Sequence, residues 1–173
     1  MPRAYRPLPS QERLKELFDY RPETGELIRR VRTSNNNKAG DVVGCLKRGY
    51  QHTRVDWDSY TNHRLIWRWM TGEDPGLLAI DHSDRNPSNN RWSNLRLATD
   101  SENNHNTPKH KDNTSGFKGV FFSKRRGRVK RWRASIANNG KRHHLGLFHT
   151  PEEAHAAYAE AALRLHGDFA RLG

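Results

Sequence analysis

The sequence predicts an α+β protein built from two modules, and three observations carry that prediction. Some stretches repeat apolar residues at helical spacing, while others are short β-branched and aromatic runs bounded by Gly, Asn or Asp. The segment 107–114 holds Pro108 and several charges with almost nothing apolar, so it reads as a linker. Beyond it the texture changes to three strand-like runs followed by one capped helix. The expected domains are therefore 1–106 and 115–173.

In the first module, Leu14, Leu17 and Phe18 recur at helical spacing behind Ser10, which predicts a short amphipathic helix ending near Asp19. The run Arg21-Pro22-Glu23-Thr24-Gly25 reads as a turn, 26–31 and 50–55 as strands, and the polar 34–38 as a mobile loop. From Asn62, one apolar stripe of Leu65, Ile66, Trp69 and Met70 predicts a helix that Gly72 stops. Residues 77–80 read as a short buried strand leading into Asp81-His82. The next stretch, 83–94, is crowded with Asn, Asp and Ser, whose side chains bond back to their own backbone, and is expected to be a loop. Strand character resumes at 95–98, and Thr99 or Asp100 then caps a short helix through Glu102 and Asn103.

In the second module, 117–122, 131–137 and 143–148 read as strands. Arg126-Gly127 and Asn138-Asn139-Gly140 separate them, the second containing the strong hairpin pair Asn-Gly. Thr150-Pro151-Glu152-Glu153 supplies a cap, a proline at the first helical position and a glutamate three residues after the cap. Ala154, Tyr158, Ala161 and Leu165 share one face of that helix, and the small alanines let it lie close against the strands. The other sheet face is left free.

Charge narrows the function. Against 19 Asp and Glu the chain carries 31 Lys and Arg, a formal net charge of +12, and such an excess points to a polyanionic partner because each neutralised phosphate releases counterions. The single cysteine, Cys45, excludes an intramolecular disulfide and a multi-cysteine zinc site. No stretch approaches the roughly 20 apolar residues that span a bilayer, and residues 1–10 lack the apolar core of a signal peptide. A soluble, intracellular protein is expected.

Asp81-His82, Asn94 twelve residues after the histidine and Asn103 nine further on form an ordered set across strand, Asn-rich loop, strand and helix. Together with His63-Arg64-Leu65, Asn89-Asn90, Asn94-Leu95 and Ser101-Glu102-Asn103, this set resembles the HNH endonucleases of the ββα-metal type, in their phage and intron-associated branch. The resemblance covers about 14–106. It implies phosphodiester cleavage, which needs a base to activate water and a cation to offset charge on the phosphorane and the departing 3′ oxygen. A neutral imidazole at His82 is suited to the base. Asp81 and Asn103 offer hard oxygen ligands for one Mg²⁺ or Mn²⁺ per active site. Asn94 matches the family's middle asparagine, whose role is to bind the loop backbone and orient the histidine. His105 stands two residues from Asn103 and competes with it as the ligand, spacing favouring Asn103. His63, at the start of a predicted helix, is expected to pack or position the core.

Ser115-Gly116-Phe117-Lys118-Gly119-Val120, Trp132, Ala134, Ile136, Gly140-Lys141, Leu145-Gly146-Leu147-Phe148 and the alanine face after Thr150 resemble an AP2 domain over about 115–172. That resemblance implies a β-β-β-α unit whose sheet enters the major groove of double-stranded DNA, with Lys118 and Arg142 on contact positions and Arg133 beside them. Phe121 and Ser123 stand where plant members carry arginine, so the plant site preference does not transfer. Independently, 114–149 holds ten Lys or Arg and no Asp or Glu, which adds Lys124, Arg125, Arg128, Arg131 and Lys141 to the candidate DNA-binding set. The leading expectation is a homing-type endonuclease, in the cytoplasm of a bacterial host if phage encoded. A non-catalytic DNA-binding regulator on a disabled nuclease fold is the alternative. An RNA target is disfavoured because the major groove of RNA helices is too narrow for strands, and oligomeric state stays open.

Overall fold

The computed structural model describes residues 5–99, 102, 103, 109, 112–123, 131–138, 140–170 and 172. The chain divides into two compact units, Met1–Ala98 and Thr99–Gly173. The division falls ahead of the polar segment 107–114.

The first unit begins with α1 (Gln11–Leu17), where the Ser10 side chain accepts the Arg13 N–H at 3.1 Å, a cap worth about 1 kcal/mol. The helix stops short of Asp19. At Phe18 the backbone becomes extended and opens β1 (Phe18–Arg21), which pairs antiparallel with β2 (Glu26–Arg29). Alternation puts both Phe18 and Tyr20 into the core and Asp19 and Arg21 outside, which one more helical turn would not do. The 34–38 segment is a hydrogen-bonded turn rather than the expected mobile loop, with Thr33 N–H on Asn37 O and Asn37 N–H on Ser34 O.

A three-stranded antiparallel meander follows: β3 (Cys45–Lys47), β4 (Tyr50–Val55) and β5 (Asp58–Thr61). The sequence signals only β4, since its neighbours are three and four residues long. From Asn62 the chain turns into α2 (Asn62–Thr71), which ends at Gly72 in the left-handed region as expected. Leu65 and Ile66 are fully buried beneath it. The strand expected at 77–80 is shifted: Leu77 is 82% exposed, because a turn closed by Leu78 N–H on Pro75 O carries it outward. The strand is instead β6 (Ala79–His82), paired with β7 (Leu95–Ala98). Leu14, Leu17, Phe18, Leu27, Leu65, Ile66, Ile80 and Leu95 join these pieces in one core, each full burial contributing about 1.5–3 kcal/mol.

In the second unit, β8 (Val120–Phe122), β9 (Trp132–Asn138) and β10 (Lys141–Phe148) form an antiparallel sheet with β9 central. The first strand starts at Val120 rather than 117. Gly119 sets that limit with a φ of 74°, and a Cβ there would meet the Tyr158 ring at 2.2 Å. The helix α3 (Pro151–His166) opens as expected: Thr150 Oγ1 accepts the Glu153 N–H at 3.2 Å, and the Glu153 carboxylate accepts the His149 N–H at 3.1 Å. It buries Ala154, Tyr158, Ala161 and Ala162, while Leu165 is 37% exposed. The buried face is thus rotated from the expected one, since close approach to the sheet favours the small Ala162 over leucine. No helix among the described residues is long and apolar enough to cross a membrane.

Candidate active site

His82 is the last residue of β6 and is buried. Its Nε2 lies 3.1 Å from Asn90 Oδ1, and a chain of amides dictates which proton the ring carries. The Val43 carbonyl can only accept, so the atom of Asn62 that faces it at 2.9 Å is Nδ2. That nitrogen also reaches Gln51 Oε1, which in turn accepts from Asn90 Nδ2 at 3.3 Å. Asn90 therefore presents its oxygen to the histidine. Nε2 carries the hydrogen in neutral His82, and Nδ1 is left as the basic nitrogen.

Asn94 shapes the loop between His82 and Asn90. Its Oδ1 accepts the Asp84 N–H at 2.9 Å, and its Nδ2 donates to Asn89 O at 2.7 Å and Asp84 Oδ1 at 2.9 Å. The Ser83 N–H reaches Asn94 O at 2.9 Å. Asp84 is the loop's centre. Burial raises its pKa, but donors from Asn89, the Asn86 backbone and Asn94 outweigh that and hold it below the ordinary carboxylate value. From outside, Tyr20 Oη donates to Asn90 O at 2.8 Å and Trp92 N–H to Pro22 O at 3.1 Å. Gly25 makes this clamp feasible, since a Cβ there would meet Asn90 C and Arg91 N at 2.5 Å.

Two rings flank His82. His63, in the first turn of α2, stands edge-on to His82 with centroids 5.3 Å apart, and Tyr50 lies 5.4 Å from His63 and 6.2 Å from His82. Burial, then the adjoining charges of His82, Arg64 and His52, push the His63 pKa down to about 3. His63 is thus a neutral ring packed against His82.

Asp81 lies on the other face of β6, opposite Arg96 in register. Arg96 Nε and Nη2 both reach Asp81 Oδ2, at 3.0 and 2.8 Å. Asn103 is exposed, on a helical turn that Thr99 caps: Glu102 N–H reaches Thr99 Oγ1 at 3.2 Å, and the Glu102 carboxylate accepts from Thr99 N at 2.7 Å. Thr99 is thus one cap of the expected pair, and Asp100 and His105 lie outside the described residues.

A strand ending in Asp-His, an Asn-pinned loop and a returning strand are the geometry to which the comparisons correspond. Residues 60–105 match the family model described as HNH endonuclease. Protein 3.8 of Escherichia phage T7 is 38% identical over 110 residues, covering 64% of this chain and 88% of that protein. The chain belongs to the family of this phage protein and carries an HNH endonuclease domain. The uncharacterized HNH endonuclease L560 of Acanthamoeba polyphaga mimivirus is 37% identical over 109 residues, 62% of this chain but only 54% of that protein. No solved structure matches the chain.

Within the HNH domain, the donor chemistry of Asp81 and Asn103, a carboxylate and an amide oxygen, suits a hard divalent cation. A cation at Asp81 would share that carboxylate with the Arg96 guanidinium. Among the described residues no three His, Cys, Asp or Glu side chains gather as a metal cluster. The Asn90, Gln51 and Asn62 relay, Asp84, Tyr50 and Arg96 were not singled out as functional from sequence. Only the Asn89-Asn90 pair and the crowded polar loop hinted at them.

In the second unit, Arg133 pairs in register with Phe121 and Leu147, and Arg142 with Ala137. Alternation puts both arginines on the sheet face opposite Ala134 and Ile136, which pack towards the helix. The Arg133 guanidinium sits 5.7 Å from the Phe121 ring centroid. Lys118 and Arg142 line one small cleft of about 180 Å³ with Tyr158 and His166. Arg131 and Lys141 are exposed, and Lys124, Arg125 and Arg128 lie outside the described residues.

Proposed function

We propose that the chain is a metal-dependent DNA endonuclease of the homing type, in which His82 is the general base. The carrying observation is the amide relay from Val43 to Asn90, which leaves Nδ1 of His82 as the proton acceptor. Nδ1 takes a proton from water as its oxygen bonds to phosphorus and the bond to the 3′ oxygen breaks. Asn94 and Asp84 hold the loop so that Asn90 stays on Nε2, and neutral His63 keeps the far side of the ring dry. A divalent cation, for which Asp81 and Asn103 are the candidate ligands, would offset charge on the phosphorane and the leaving oxygen.

The second unit supplies grip in this reading, as an AP2-like module over 115–173 that follows the polar segment 107–114. The sheet β8–β10 followed by α3 supports that assignment, and Arg133 and Arg142 share the open sheet face. Lys118, Lys124, Arg125, Arg128, Arg131 and Lys141 complete the phosphate-binding set, most of them clamps rather than base readers.

Supercoiled plasmid incubated with the protein and Mg²⁺ tests the proposal. The intact chain nicks or linearises it, EDTA stops the reaction, and His82→Ala lowers the rate by about 10²–10⁴-fold with DNA affinity nearly unchanged. Equal cutting by His82→Ala refutes the assignment of the base.

A further inference from the structure

The β4–β5 hairpin of the first unit turns through Asp56 and Trp57, both at positive φ, 45° and 74°. Two-residue hairpin turns of this hand favour Asn-Gly, and a bulky residue in the left-handed region costs about 1–2 kcal/mol. Trp57 is nevertheless 99% exposed. A strained turn that holds the largest apolar side chain in open water has no folding rationale, and such strain collects at sites of function.

The surroundings of the turn say what the indole meets. Buried Thr53 and Val55 mark the inner face of β4, so Tyr50, His52 and Arg54 lie on the outer one. Register adds Lys47 opposite Tyr50 and Ser59 opposite Arg54. With Cys45 opposite His52, this outer strip carries cations, rings, hydroxyls and a thiol; the adjoining cleft adds one carboxylate away from the turn, Asp41, which already accepts the Lys38 N–H at 2.6 Å. The two acids at the turn are already neutralised: Asp56 accepts from Arg13 Nε and Nη2 at 3.1 and 2.8 Å, and Asp58 from Arg6 at 2.6 Å. Those same bonds brace the turn. One end of the strip is Tyr50, beside His82, and the other is Trp57.

We infer that this strip is a second DNA-contacting surface and that Trp57 is an aromatic wedge against the bases of duplex DNA. The wedge acts on the same duplex that His82 cuts. A β-ribbon fits the major groove, and aromatic or apolar side chains inserted at a base step are a known means of gripping a duplex. Six residues of strand and turn lie between Tyr50 and Trp57, about 20 Å, so the wedge meets the duplex about six base pairs from the scissile phosphate at roughly 3.4 Å per step. A lone tryptophan in a basic, hydroxyl-bearing strip favours this occupant over an apolar protein partner. The inference rests on the nuclease reading only for the position of the cut.

The full chain, Trp57→Phe and Trp57→Ala are compared on a random-sequence duplex at low salt in EDTA, so that no cleavage is required. The Trp57 share of the fluorescence, taken as intact chain minus Trp57→Phe, should be open to acrylamide in free protein and shielded several-fold on DNA. Trp57→Ala should bind about five-fold or more weakly, and Trp57→Phe should recover most of that loss. Two results overturn the inference: a Trp57 signal still open to acrylamide on DNA, or equal affinity of Trp57→Ala. A Trp57→Ala variant that turns a dimer into a monomer in sedimentation also overturns it, assigning the turn to contact between copies. Absent plasmid cleavage with Trp57 shielding intact would sink the nuclease reading and leave the surface standing.

Discussion

Lowering the pH should destabilise the first unit through one residue, His63. Its side chain is only 8% exposed, packed edge-on to His82 at 5.3 Å and within 3.2 Å of Thr61 Oγ1. In the folded chain its pKa is held down to about 3 by burial and by the charges of His82, Arg64 and His52, whereas an unfolded histidine titrates near 6.5. Between those values the unfolded state binds one proton more than the folded state, so stability falls as pH falls, and the contribution is complete only above about 6.5. Going from about pH 7.5 to about pH 5 crosses some 1.5 units of that window, a loss of about 2 kcal/mol at 1.36 kcal/mol per unit. Urea unfolding at both pH values, in the intact chain and in His63→Gln, separates the His63 contribution from that of the other histidines. Tryptophan fluorescence is the fitting signal, since Trp57, Trp67, Trp69 and Trp92 lie in the first unit and Trp132 in the second. The intact chain should lose about 2 kcal/mol more than the variant. Identical pH dependence in the two proteins would refute the reasoning.

Three further outcomes are expected. Asn90→Leu removes the partner of His82 Nε2, so ¹⁵N spectra of the His82 ring should change from one tautomer to a mixture, and plasmid cleavage should slow by about ten-fold or more with DNA affinity unchanged; an unmoved tautomer counts against the relay. Gly119→Ala drives a methyl into the Tyr158 ring at a positive φ, and should lower the stability of the second unit by more than about 2 kcal/mol, seen in its thermal unfolding. Arg133→Ala combined with Arg142→Ala should weaken duplex binding and make its logarithmic salt dependence shallower by about 1–2; an unchanged slope in a gel-shift salt series would remove these arginines from the phosphate contacts.

Much of this molecule is written in short stretches of sequence because the physics there is short-range. Ser10, Gly72 and the Thr150 to Glu153 cap act on backbone groups within four residues, so those helix ends were legible, as was β7 from four alternating residues. The placement of Asp81 and His82 at the end of one strand and of Asn94 just before the returning strand was legible too, since strand, loop and strand follow one another at short spacing. Helix α1 was overrun at its end because Phe18 suits either period, and only its pairing with Arg29 across the hairpin selects the strand.

What the tertiary structure alone decided are contacts between residues far apart in the chain. Asn90 meets Gln51 across 39 positions and Tyr20 across 70, and no local pattern marks a glutamine on β4 as part of the relay that sets the protonated nitrogen of a histidine on β6. The ring packing of His63 and Tyr50 around His82, and the register that gives Asp81 to Arg96, are of the same kind. Side-chain type and spacing determine which groups the chain can bring to bear on a phosphodiester. Their orientation, protonation and neighbours follow from how α2, the β3–β5 meander and the β6–β7 hairpin pack on one core, because the free energy of that burial is a property of all three elements together.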